Sequence, residues 1–251
     1  MNVKRSSLIT LLAFAVLAPC LCAFAVLALS FGAYTWTSPF SDLRTDSHAI
    51  GLGDAKSVTV DLKMSVGKLT IGGGADALME ADFSSNVADW KPAVDYSVSG
   101  EQSELSIQQL EVKSWGVGFY RYEWDLRFND SVPMDLNIGL GIGQSLLDMR
   151  SLSLTRLDLK MGIGDVELDL SGEREQDLDV TIRGGIGEAT VHLPKDVGVC
   201  IKVAGGLGEV NAKGLQRNGD VYVNAAYGES SATITLDIKA GVGEINLVVM
   251  E

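Results

Sequence analysis

Residues 157–170 read LDLKMGIGDVELDL. Before the paired glycines, Leu157, Leu159 and Met161 share one parity; after them, Val166, Leu168 and Leu170 share another. Asp158, Lys160, Asp165, Glu167 and Asp169 take the opposite positions, so each flank reads as a strand with one apolar and one charged face. Between the flanks, Gly162 and Gly164 make a corner where residues without a Cβ admit positive φ and the close approach of another backbone. Such a unit cannot bury its apolar face by itself, so it requires neighbours.

The neighbours are present in the chain. GIGQSLLDM (141–149), GIGDVELDL (162–170), GIGEATVHL (185–193), GLGEVNA (206–212), YGESSATITL (227–236) and GVGEINLVV (241–249) repeat the pattern, with a fainter copy, SVGKLTI, at 65–71. The second glycines fall at Gly143, Gly164, Gly187, Gly208, Gly228 and Gly243, at intervals of 21, 23, 21, 20 and 15. Recurrence of one supersecondary unit predicts an all-β, solenoid-like body of stacked strands with equivalent residues about 4.8 Å apart. An antiparallel sandwich of hairpins is the alternative arrangement. A dinucleotide fingerprint does not fit, because a strand rather than a glycine-opened helix follows each corner. Calcium-binding nonapeptide repeats do not fit the longer period.

An acid follows the second glycine in five copies: Asp165, Glu188, Glu209, Glu229 and Glu244. Stacking predicts that these share one outward column, where like charges repel. Lys160, Arg183 and Lys239 stand five residues before Asp165, Glu188 and Glu244, predicting three exposed cross-turn ion pairs worth about 0 to 1 kcal/mol each. Ala204 and Asn224 occupy the corresponding places for Glu209 and Glu229, leaving those two acids uncompensated. The column is therefore the candidate surface for a cationic partner such as a basic peptide, a cell-wall polymer or a metal ion.

The chain has 251 residues with a formal charge of −13, and Lys4 and Arg5 are its only charged side chains before Asp42. So acidic a body repels nucleic acid. With 2 histidines and 3 cysteines, clusters for zinc or thiol chemistry have little material. Cys200 reads as an inert thiol, His48 and His192 as surface or structural histidines, and no residue set marks a catalytic, cofactor or metal site. The expectation is a non-enzymatic protein; an envelope enzyme using carboxylates that spacing does not single out is an alternative.

Residues 8–33 are nearly all apolar and uncharged, long enough to cross about 30 Å of hydrocarbon as a helix. Residues 1–41 thus predict a membrane anchor or uncleaved signal, with the short basic tail cytoplasmic and the acidic body outside the cytoplasmic membrane. A cleaved signal, whose apolar region runs to about 7 to 15 residues, would instead give a secreted surface adhesin. Residues 42–54 lack periodicity and read as a linker, 55–132 as an N-terminal β domain, and 133–251 as the glycine-rich β-repeat domain. Within 55–132, Tyr120, Tyr122, Trp124, Leu126 and Phe128 alternate with charged residues, predicting a strand that packs its aromatics into a core. Trp115 and Phe119 lie just before it.

GIGDVELDL, the run GGIGEATVHLPKDVGVCIKVAGGLGEVNAKGL and the terminal AGVGEINLVV resemble the toast-rack proteins, a bacterial family related to membrane proteins of the cell-wall-active antibiotic response. The likeness covers most of 134–251, and 55–132 is similar to the family's amino-terminal domain. The resemblance implies a stacked β architecture and a role in envelope stress sensing, regulation or adhesion, with envelope signalling proteins as partners. It implies no catalytic residues.

Overall fold

A computed structural model describes residues 43–53, 56–87, 90–110 and 120–250. In the first part, the strands are β1 (Arg44–Ile50), β2 (Ser57–Gly72), β3 (Met79–Ser85), β4 (Pro92–Ser99), β5 (Gln102–Gln109) and β6 (Tyr122–Phe128). Next come β7 (Met134–Asp148), β8 (Leu154–Lys160), β9 (Ile163–Asp169), β10 (Leu178–Arg183), β11 (Ile186–Leu193) and β12 (Gly198–Ala204). The chain closes with β13 (Leu207–Lys213), β14 (Gln216–Asn218), β15 (Val221–Val223), β16 (Thr233–Lys239) and β17 (Val242–Val249). The predicted membrane segment lies outside the described residues, among which no helix is long and apolar enough to cross a membrane.

Each glycine corner joins two legs of one layer. At the corner the in-and-out alternation slips by one residue, so Leu157 and Leu159 before it and Val166 and Leu168 after it are all buried in one core. β2 and β7 run through their corners as single strands at Gly67 and Gly143. Successive layers pair in parallel and in register: Gly67 opposite Gly143, Gly143 opposite Gly164, Ile163 opposite Ile186, Gly187 opposite Gly243, and Gly243 opposite Gly208. The parallel stack, rather than the sandwich of hairpins, is the arrangement adopted.

Glycine is required at these corners for a reason the register makes explicit. A Cβ built on Gly143, Gly164, Gly187, Gly243 or Gly208 would overlap the carbonyl oxygen of the corner glycine in the neighbouring layer, and φ at all five lies between 133° and 153°. Neighbouring backbones can therefore nest at the crease only while no side chain intervenes.

The stacking order departs from chain order. From the N-terminal side the layers run β2, β7, β8 with β9, β10 with β11, β16 with β17, and then β12 with β13. The final unit thus sits between two earlier ones. It supplies the buried Ile234, Leu236, Ile238, Ile245 and Leu247, whereas β13 offers only Val210 and Ala212 at its inward places and ends the second leg.

YGESSATITL is accordingly not a separate unit: β16 is the first leg of the layer whose corner is Gly241 to Gly243. Gly228 and Glu229 sit in the turn before β16, which is closed by backbone bonds from Tyr227 to Asn224 and from Glu229 to Ala226. The buried Asn224 side chain ties this turn down, accepting from Val199 N–H at 2.9 Å and donating to the carbonyls of Val197 at 2.7 Å and Pro194 at 3.1 Å.

Both ends of the parallel stack are covered by antiparallel strands. β5 and β6 add to the two legs of β2 in parallel, β4 pairs with β5, and β3 pairs with β6. Residues 44–50, read from sequence as part of a linker, instead form β1, antiparallel to β3. The aromatic strand β6 buries Tyr122, Trp124, Leu126 and Phe128, with Trp124 edge-on to both Phe83 and Tyr122. Trp115 and Phe119 lie outside the described residues. β15 pairs with β12 and β14 with β15 at the other end, so one sheet runs from β1 to β17 without a break at residue 132.

Candidate binding surface

The residue after each corner glycine points outward at the start of the second leg. Across the stack these positions are Lys68, Gln144, Asp165, Glu188, Glu244 and Glu209, with Glu188 opposite Glu244 and Glu244 opposite Glu209. Four carboxylates in adjacent layers therefore form the predicted column. Glu229 is not a member, because its turn lies before β16.

The cross-turn ion pairs do not form. Lys160 and Lys239 end first legs while Asp165 and Glu244 begin second legs, and the crease holds them apart on different faces. Arg183 instead donates through Nη1 to both oxygens of Asp158 in the adjacent layer, at 2.5 and 2.8 Å. Compensation for the acids comes from uncharged donors two residues along the same face. Asn246 Nδ2 donates to Glu188 at 2.8 Å and Asn211 Nδ2 to Glu244 at 2.6 Å; Asn211 also donates to Asn246 Oδ1 at 3.0 Å. An amide ladder thus runs beside the acid column and satisfies its middle two members. Among the described residues the carboxylates of Asp165 and Glu209 hold no hydrogen bond or ion pair.

On the same face, His192 Nε2 lies 3.2 Å from Glu167 Oε1, and an open groove of about 550 Å³ is lined by Lys68, Asp165, Glu167, Glu188 and His192. His48 lies on β1, edge-on to Phe83. Cys200 is a free, half-buried thiol. Among the described residues no group of three or more histidine, cysteine or carboxylate side chains is placed to hold a metal ion.

A second feature of the corner escapes a reading focused on glycines and acids. The residue between each pair of glycines projects outward along the crease: Ile142, Ile163, Ile186, Val242 and Leu207 are 55, 50, 54, 49 and 75% exposed. They occupy consecutive layers and form an aliphatic ridge. The signal was present in the repeat, whose middle residue is a branched aliphatic in every true corner. Beyond the ridge, on the first leg, Lys63, Lys160, Arg183 and Lys239 form a cationic row, interrupted by Gly139 between Lys63 and Lys160. The crease is thus apolar, with positive charge on one flank and negative charge on the other.

The fold and surface define a stacked-strand β protein that displays repeated side chains in rows. The family model described as the N-terminal domain of toast_rack, DUF2154, matches residues 40–192, and the chain belongs to that family. A candidate cell adhesion protein from Clostridium sporogenes ATCC 15579, known from its crystal structure, is 37% identical with a TM-score of 0.80, covering 83% of this chain and 100% of its own. The whole of that chain, folded in its crystal, corresponds to part of this one. A candidate adhesin from Bacteroides fragilis NCTC 9343 matches over 84% of this chain and 99% of its own at 12% identity, and its TM-score of 0.38 is too low to carry an argument. No curated protein matches the chain.

Proposed function

We propose that this protein is an adhesion-type binding module that acts by contact, not turnover, and that residues 1–41 anchor it with its acidic body outside the cytoplasmic membrane. The observation that carries this reading is the acid column, repeated at strand spacing and with Asp165 and Glu209 unpaired, on a body 37% identical to a candidate cell adhesion protein. Carboxylates at about 4.8 Å intervals match a polymer or peptide bearing repeated cations, because each added contact shares the cost of the first.

Oligolysine binding by residues 42–251, followed by fluorescence anisotropy, tests the surface. Replacing Asp165→Asn together with Glu209→Gln is expected to weaken binding about tenfold at low ionic strength and to flatten its salt dependence. Glu229→Gln, outside the column, is expected to leave both unchanged. Equal binding by all three proteins would overturn the column as the site. For the anchor, the expected result is full-length chain in the membrane fraction with its body open to external protease. A mature N-terminus near Tyr34 would overturn it in favour of a secreted adhesin.

A further inference from the structure

We infer that the aliphatic ridge is the interface of a homodimer, in which two copies meet crease to crease about a twofold axis parallel to the stack. Five aliphatic side chains in consecutive layers, each about half exposed or more, make a continuous apolar strip rather than the scattered singles usual on a protein surface. The strip's complement must be apolar and lie between charged flanks. A second ridge meets both requirements.

The charges select the symmetry. Viewed from outside, the cationic row lies on one side of the ridge and the anionic row on the other. A twofold axis running along the ridge carries the cationic row of one copy over the anionic row of its partner, and does so on both sides at once. An axis across the ridge would set cation against cation and acid against acid, which opposes association. In the favoured arrangement the two ridges run in the same direction, and each layer faces its own counterpart. Lys160 then faces the partner's Asp165, and Lys239 faces the partner's Glu244. The Lys160, Lys239 and Asp165 side chains have no ion-pair or hydrogen-bond partner among the described residues, so forming these contacts breaks none at those three groups. The ridge spans about 19 Å over five layers, which places the pairing at the small, weakly associating end of specific interfaces.

Sedimentation of residues 42–251 across a concentration series tests the pairing. A monomer–dimer equilibrium that weakens about tenfold or more from low to high salt is expected. Ile163→Asp with Ile186→Asp should abolish it, with the melting temperature confirming that this variant is folded. Two charge variants give the discriminating measurement: Lys160→Glu with Lys239→Glu sets acid against acid in two layers of a self-pair, and Asp165→Lys with Glu244→Lys sets base against base in the same two layers. Each alone should be monomeric, and their mixture should form a one-to-one dimer. Orientation is read by cross-linking in a Cys200→Ser background, where Ile142→Cys, at one end of the ridge, should form a disulfide with itself. A wild-type body that is monomeric throughout, a mixture that fails to pair, or preferential cross-linking of Ile142→Cys to Leu207→Cys would overturn the proposal. So would ridge-dependent binding to phosphatidylcholine vesicles without a dimer, which would assign the strip to a lipid surface.

Discussion

Gly187 shows what one methyl group does to this architecture. Its φ is 141°, and a Cβ there would overlap the carbonyl oxygen of Gly164 in the next layer. Gly187→Ala is therefore expected to cost about 3 kcal/mol or more, since strain at an unfavourable φ alone accounts for about 1 to 3 kcal/mol. Gly72 supplies the control, because its added Cβ meets nothing within 4 Å. Gly72→Ala should stay within about 0.5 kcal/mol of the parent. Urea midpoints of the two variants check both values, and equal midpoints would show that the corners tolerate a side chain. The need for glycine at these corners was legible in the repeat. The atom that forbids a larger residue was not, because it belongs to a neighbouring layer.

At the scale of a strand, β6 couples packing to alkaline stability. Burial pushes the Tyr122 hydroxyl up to about 12, because the low-polarity core disfavours the phenolate. An unfolded tyrosine loses its proton at about pH 10. Between these values the unfolded chain has released a proton that the folded chain retains, so the stabilising contribution is intact below pH of about 10 and falls as pH rises toward 12. The Tyr122 oxygen is buried without a hydrogen-bond partner among the described residues. Tyr122→Phe should accordingly melt within a few degrees of the parent at neutral pH and lose less stability on titration above about pH 10. A steeper alkaline loss in the variant would contradict this account. The inward parity of β6 was plain from alternation alone. That of β1 was not: its burial is shallow on nearly every residue, and it is held by its ladder to β3 and by edge contacts such as His48 against Phe83 and Asp46 with Lys91. The acid column was likewise legible up to Glu229, which follows a single glycine rather than a glycine pair.

For the whole molecule, the interleaved last layer ties distant parts of the chain together. β12 and β13 reach the rest of the parallel stack through β16 and β17. Ending the chain after residue 223 therefore removes more than its final unit. Hydrogen exchange of that truncated chain is expected to show residues 198–223 exchanging as unfolded chain while residues 178–193 keep much of their protection. Protection of 198–223 in the truncated protein would mean that β12 and β13 can dock directly on β10 and β11. Chain order alone did not reveal this arrangement, since hydrogen bonding between parallel layers is indifferent to which corner unit comes next.

That indifference gives the nascent chain a choice of seats. β13 is made before β17, and the two share the pattern Gly-x-Gly-Glu, an inward aliphatic and then Asn, so this shared pattern alone does not tell one from the other at the edge of β11. What separates them is volume: the inward place two residues after the aliphatic is Ala212 in β13 and the fully buried Leu247 in β17. A leucine-to-alanine difference in a core is worth about 2 to 5 kcal/mol. Side-chain size at one position thus favours one of two like strands for the seat against β11.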